Sequence, residues 1–257
     1  MDQLFDISGK TALVTGGAGD IGRAIADLFV RRGVRTYICG RNAQNCADTA
    51  AELSRHGECH GLQADLGNLA GIQRLAAEIL AREDHLDILV NNAGAAHYAG
   101  IDVFPESAWD EVFDINLKAP FFLSQAFLPA LRKAGTAARP ARIINIGSSA
   151  GSQVSTNEAY AYSTSKSALN YLTRKIARRL AKDNITVNTV APGPVEAGLM
   201  SKMDEAFRRS VRDEIPLGRM ATADEVAAAV VFLASPAAAY LTGVILPVDG
   251  GVAGCMR

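Results

Sequence analysis

Residues Thr11–Gly33 read TALVTGGAGDIGRAIADLFVRRG. Thr11 to Val14 is a short apolar run between Gly9-Lys10 and Thr15-Gly16, the form of a strand buried in a parallel sheet. Beyond the glycines, Ile21, Ile25, Leu28 and Phe29 recur at helical spacing, and Gly33 closes the segment. Standing alone, the glycines would also suit a plain structural turn. Between a strand and a helix they favour dinucleotide binding: they let the backbone approach a pyrophosphate, and the helix N-terminus faces it with positive partial charge.

The same alternation continues outward. Strands are predicted at Thr36–Cys39, Cys59–Gln63, Leu86–Val90, Arg142–Ile146, Ile185–Val190 and Val244–Val248. Helices are predicted at Ala43–Arg55, Leu69–Arg82, Ser107–Lys133, around Tyr162 and at Asp224–Leu233. This pattern predicts an α/β fold, a Rossmann-type doubly wound parallel sheet in a single domain over residues 1–257. The alanines at 227–229 fit close helix packing, and the apolar Val244–Val248 run fits a subunit contact.

Composition narrows the function. Of 257 residues, 49% are hydrophobic and 21% charged, with a net charge of −1, which points away from a nucleic-acid binder. No run of 18 apolar residues occurs, so no membrane span is expected. The N-terminal MDQLFDISGK lacks an apolar signal core, and a cytoplasmic location is expected. Cys39, Cys46, Cys59 and Cys255 form no C-x-x-C pair and read as reduced thiols. His56, His60, His85 and His97 form no H-E-x-x-H motif, and no metal site is expected.

Chemistry gathers after the strands. Tyr162 and Lys166 stand at i and i+4, on one helix face with Cβ atoms about 5–6 Å apart. An ammonium beside a phenol lowers the phenol pKa, as proton exchange near neutral pH requires. Ser148 and Ser149 end the strand before that helix. Arg41 follows the second strand where NAD-binding folds carry an acid, and with no acid nearby in the sequence it favours NADP(H), with NAD(H) as the alternative. Asp65-Leu66 and Asn91-Asn92-Ala93-Gly94 follow the next two strands, and either is also compatible with an ordinary turn. Pro120 removes the N–H that would bond the Asn116 carbonyl, leaving an acceptor suited to a water or merely a packing kink. Residues 195–219, with Met200, Met203 and Phe207, read as a lid. Its Lys202, Arg208, Arg209 and Arg212 read as a solvated face, with an anionic substrate or carrier as the alternative.

TGGAGDIG (Thr15–Gly22), NNAG (Asn91–Gly94), Asn116, Ser148, Tyr162-x-x-x-Lys166, Pro192-Gly193 and Asp249–Gly251 occur in the order of the short-chain dehydrogenase/reductases, which the chain resembles over its full length. The resemblance implies Tyr162 as general acid/base, Lys166 as its pKa partner and a ribose ligand, Ser148 on the reacting oxygen, and Asn116 on a relay water through its main-chain carbonyl. It implies a cofactor set of Gly16, Asp20, Ile21, Gly22, Arg41, Asp65, Leu66, Asn92, Gly94, Tyr162, Lys166, Pro192, Gly193 and Val195. Gly16 and Gly22 fall to the pyrophosphate, Asp65 to the adenine and Asn92 to the adenosine ribose. Substrate contacts fall to Ser148, Tyr162, His97 and Met200. Two positions depart from the family: Asp20 replaces a glycine, and Ala197 stands where a threonine is frequent. Asp20 would then carry a left-handed backbone, which Asp tolerates better than most residues.

The implied reaction is C=O + NADPH + H⁺ ⇌ CHOH + NADP⁺. Substrate identity is expected in the lid and in the loops Ala95–Gly100 and Gly151–Tyr160. The stretch YICGRNAQNCADTAAELSRHGECHGLQADL and ARIINIGS resemble the β-ketoacyl reductase subgroup associated with rhamnolipid synthesis, which favours a 3-oxoacyl thioester. For an acyl carrier as partner, Arg139 argues in favour and Asp183 against. The competing readings are a polyol or sugar dehydrogenase, a general ketone reductase and a non-catalytic NADP(H)-sensing regulator. A homotetramer or homodimer is implied.

Overall fold

A single sheet of seven parallel strands forms the centre: β1 (Thr11–Thr15), β2 (Arg35–Gly40), β3 (Cys59–Gln63), β4 (Ile88–Asn91), β5 (Ala141–Ile146), β6 (Ile185–Pro192) and β7 (Ile245–Val248). Their spatial order is 3-2-1-4-5-6-7, and each neighbouring pair is parallel. The computed structural model describes residues 3–154, 157–197, 200 and 204–254. Met203, Lys202 and Cys255, singled out in the sequence, lie outside the described residues.

The doubly wound arrangement follows from where apolar side chains can go. β1, β4, β5 and β6 are buried along their whole length, so helices must cover both faces. On one face α1 (Asp20–Val30) and α8 (Ala223–Ala234) pack Ile25, Phe29, Val226 and Val230 onto the sheet. The small Ala26 and Ala227, both fully buried, belong to the same layer. On the other face α3 (Leu69–Leu80), α5 (Ala119–Ala134) and α6 (Tyr160–Leu180) supply Leu75, Leu123, Phe127 and Leu180. Truncating one such fully buried aromatic to Ala costs about 3–5 kcal/mol.

Local signals set the helix ends. Asn42 caps α2 (Ala43–Leu53) by accepting from the Asn45 N–H, and Asn68 caps α3 by accepting from Gly71. Thr222 and Glu225 form a reciprocal capping box on α8. After α6 the left-handed Asn184 turns the chain into β6.

The helix predicted over Ser107–Lys133 is interrupted. α4 (Glu106–Phe113) gives way to one π-helical turn at Asp114–Lys118 before α5 begins. Pro120 is the physical reason: it cannot donate to the fourth carbonyl back, but it fits the first turn of a new helix, where no such bond is needed. Predicted strand and helix ends otherwise move by one or two residues.

The excursion from β6 to α8 is pinned at its base. Val195 and Ala221 form an isolated parallel bridge, and Glu196 N–H donates to the Ala221 carbonyl at 2.8 Å. Within it α7 (Glu205–Asp213) is capped by Asp204 and buries no residue. Arg208 pairs with Glu196 and Glu205, and Arg212 with Glu205, consistent with a solvated basic face.

Candidate active site

The chain order reverses beside β1: β2 and β3 go to one side and β4 to the other. A cleft of about 590 Å³ opens where the carboxyl ends of β1 and β4 part, lined by Gly16, Asp20, Ile21, Gly22, Arg41, Leu66, Asn92, Gly94 and Val195 among others. Glycine is required here by packing. Gly16 is left-handed at φ 65°, and a Cβ on Gly22 would sit 2.2 Å from the Gly16 carbonyl oxygen. Helix α1 can therefore start directly beneath the β1 turn. Gly19 caps it without a side-chain bond, so the first helical N–H groups keep no partner within the helix and border the cleft. Asp20 sits in that first turn with helical backbone, not left-handed: the reversal is taken by Gly16 instead. Its exposed carboxylate suits the positive helix end.

Thr15 and Asn92 hold the cleft floor. The Thr15 hydroxyl accepts from the Asn92 and Ala93 N–H groups at 2.9 and 3.0 Å and donates to Val90 O at 3.3 Å. The Asn92 amide donates back to Thr15 O at 2.9 Å. Thr15 opens the glycine motif, but the sequence gives it no role of its own. Leu66 lines the cleft, whereas Asp65 does not. Asp65 is exposed, and its carboxylate accepts from the Gly67 N–H at 3.0 Å and from Asn68 Nδ2 at 2.7 Å, closing a local turn. Pro192 and Gly193 lie behind the lining: Gly193 N–H donates to Val248 O, and its Cα has no room for a Cβ against Asp249.

At the other end of the cleft stand the groups predicted to do chemistry. Lys166, Ser148 and Asn116 are buried, and Tyr162 is half-buried. Lys166 Nζ donates to the Ile146 carbonyl at 2.8 Å and lies 5.7 Å from the centroid of the Tyr162 ring. Gly94 lines the cleft, and a Cβ on it would stand 3.7 Å from that ammonium, so the cleft ends beside Lys166, which lies just outside the lining. Burial lowers the Lys166 pKa to about 8. Burial also raises the Tyr162 pKa; a hydrogen bond with Ser148 pulls it down, and Tyr98 pushes it up. The lysine-driven lowering expected from sequence is therefore not the dominant influence in this structure. The ammonium is drawn to the end of β5 and lies over the ring rather than on the phenol oxygen.

Asn116 has a second use that sequence did not reveal. Its amide accepts from the Ala95 N–H at 2.8 Å and donates to Ala95 O at 2.9 Å and to Ser165 Oγ at 3.0 Å. The π turn thus locks the strand-end loop to α6. The substrate loops also meet: Ala99 N–H donates to Glu158 O at 3.3 Å, and Phe104 packs edge-on against Tyr160. His97 is exposed and stacks edge-on against Phe104, outside the cleft lining. Met200 is half-buried, with its N–H on Ala197 O. No group of three or more His, Cys, Asp and Glu side chains in a metal-holding arrangement occurs among the described residues. Among them, too, no helix is long and apolar enough to cross a membrane.

A parallel sheet with a glycine-turn cleft that ends beside Lys166, Tyr162 and Ser148 defines an α/β oxidoreductase, and the chain belongs to the short-chain dehydrogenase/reductase family, which acts on CH–OH and C=O groups. A family model described as enoyl-(acyl carrier protein) reductase matches residues 16–253. The chain is 42% identical over 253 residues to the rhamnolipids biosynthesis 3-oxoacyl-(acyl-carrier-protein) reductase of Pseudomonas aeruginosa, covering 98% of this chain and 99% of that protein. It is 36% identical over 248 residues to the 3-oxoacyl-(acyl-carrier-protein) reductase FabG of Escherichia coli K12, covering 96% and 99%. Among solved structures, the Pseudomonas aeruginosa RhlG/NADP active-site complex matches with a TM-score of 0.96 at 41% identity, over 98% of this chain and 100% of that one.

Proposed function

We propose that this chain reduces a 3-oxoacyl thioester with NADPH, in the cytoplasm and as a homo-oligomer. The observation that carries the reaction is the approach of the cleft, at Gly94, to the buried Lys166 beneath the half-buried Tyr162. The cleft fits the cofactor in its own terms. The open end of α1 suits a pyrophosphate, Arg41 a 2′-phosphate and Lys166 a ribose hydroxyl. When bound, NADPH supplies the hydride.

The chain's own residues do the rest. The Ser148 hydroxyl is near enough to the Tyr162 phenol to pull its pKa down, and the two are placed to receive one substrate oxygen. Tyr162 gives that oxygen its proton, and the phenolate left behind is balanced by the Lys166 ammonium below the ring. The Asn116 side chain holds the loop that walls this pocket, while its main-chain carbonyl is the assigned anchor of the relay water.

The thioester reading rests on the relatives' names. A hydroxyl pair converging on one oxygen favours carbonyl reduction over the enoyl reduction named by the family description. Residues 195–219 serve as the lid, with Met200 and His97 as substrate contacts. Asp183 bears little on a carrier at this protomer's site. Asp183 follows the far end of α6, about 30 Å from Tyr162 along the helix, and it is paired with Arg132 at 2.8 Å. The homo-oligomer reading is supported by an open apolar groove of about 930 Å³ between α5 and α6, where Phe121 and Tyr171 stand exposed.

The test is oxidation of NADPH and NADH by the purified protein with a short 3-oxoacyl thioester, a 2-enoyl thioester, a cyclic ketone and a keto-sugar. Turnover of the 3-oxoacyl thioester with NADPH is expected. Turnover confined to the sugar, the enoyl thioester or NADH would overturn the substrate or cofactor assignment. A Tyr162→Phe variant that kept every cellular effect would replace the enzyme with a cofactor sensor.

A further inference from the structure

The Arg41 end of the cleft holds an acid that the sequence does not announce. Glu111, on α4, lines the same cleft, with Oε1 3.6 Å from Arg41 Nη1. That separation is an ion pair but too long for a hydrogen bond, so the guanidinium keeps its donors available. The two side chains are 77% and 57% exposed, so water and salt screen the pair and it is easily rearranged. Leu66 and Ile115 border the same end of the cleft, which places Glu111 across the opening rather than on a remote surface.

We propose that Glu111 is a specificity-determining residue that limits how strongly the protein prefers NADP(H) over NAD(H). The inference rests on the reading of Arg41 as the 2′-phosphate ligand. A 2′-phosphate arriving at Arg41 must displace the Glu111 carboxylate or lie beside it, and two like charges at that range oppose binding. A cofactor with a free 2′-hydroxyl meets no such repulsion and can donate a hydrogen bond to the carboxylate. Glu111 therefore penalises only the phosphorylated nucleotide.

The test is calorimetric binding of adenosine 2′,5′-bisphosphate and of 5′-AMP, then of NADP⁺ and NAD⁺, to the full-length protein and to Glu111→Gln, Arg41→Ala and the double variant. Glu111→Gln should tighten the 2′-phosphorylated ligands about three- to tenfold, a gain of about 0.7–1.4 kcal/mol, and leave 5′-AMP and NAD⁺ unchanged or slightly weaker. The gain should shrink as ionic strength rises. It should also be smaller in the Arg41→Ala background, where the phosphate is no longer held beside residue 111. Equal shifts for both ligand classes, no shift, or weaker binding of the bisphosphate would overturn the proposal. Arg41→Ala reads the underlying assignment separately. If it leaves the preference for the 2′-phosphate intact, the Arg41 reading fails, whatever Glu111→Gln does.

Discussion

The two ends of the cleft are built on opposite principles. At the catalytic end Lys166, Ser148 and Asn116 are buried; Lys166 and Asn116 are fixed by hydrogen bonds to distant segments, and the Ser148 hydroxyl accepts from the Ala150 N–H. At the adenine end Arg41, Glu111 and Asp65 are exposed, and their contacts are a loose ion pair and a local turn. Burial gives the first end strong, geometry-dependent electrostatics at a cost in stability. Exposure gives the second end small, screened energies that single substitutions can retune. Reaction class is therefore set where the chain is rigid, and cofactor preference where it is adjustable.

The largest effect should come from the buried end. Tyr162→Phe removes the proton donor and should lower kcat by about a thousandfold, with NADP⁺ affinity in calorimetry nearly unchanged. A loss below tenfold would show that the two ends are not so unequal. Lys166→Met should lower kcat by about a hundredfold and at the same time raise thermal stability. The Lys166 pKa falls from 10.5 to about 8 on burial, so holding its charge at neutral pH opposes folding by about 3 kcal/mol. Between pH 8 and 10.5 the unfolded chain binds the proton that the folded chain has lost, so this group makes stability rise with pH there. Below pH 8 both states carry the proton and the penalty is constant. Calorimetric melting of the variant at pH 7 should show a higher Tm, and the wild-type rate of ketone reduction should fall as pH rises through about 8. A lower Tm for Lys166→Met would mean that the Ile146 bond outweighs the desolvation.

An intermediate effect separates floor from wall. Thr15→Val keeps the shape but leaves the Asn92 and Ala93 N–H groups without their acceptor, and it should cost about 2 kcal/mol in urea unfolding. Nucleotide affinity should weaken as the floor loosens. If stability falls and affinity does not, the Asn92 amide alone suffices to shape the turn.

The sequence was legible where one element carries the information. Strand β1 reads as a short apolar run because it is buried along its whole length, and Tyr162 and Lys166 share one helix. What was not legible depends on elements distant in the chain. Glu111 faces Arg41 only because α4 folds over the carboxyl end of β2. The ammonium of Lys166 reaches β5 rather than the phenol oxygen because the nearest buried acceptor is a carbonyl. The Asn116 amide clamp needs the π turn, which Pro120 signals only as a break.

Asp65 gives the smallest effect and the sharpest check on the exposed end. Family resemblance assigns its carboxylate to the adenine amino group, whereas the structure spends it on Gly67 and Asn68. Asp65→Asn can keep the Gly67 bond through its amide oxygen, but its NH₂ would face the Asn68 NH₂. Asn68 cannot turn without surrendering its cap on Gly71. The expected cost is one exposed hydrogen bond, about 0.5–1 kcal/mol in urea unfolding. Affinity for NADP⁺ should change by less than about threefold, which is under 1 kcal/mol. Asp65→Ala should weaken NADP⁺ and its hypoxanthine analogue equally, because only a carboxylate bonded to the adenine amino group could tell them apart. A selective loss for the adenine form would return Asp65 to the cofactor and make the adenine end less dependent on charge than the Arg41–Glu111 pair implies.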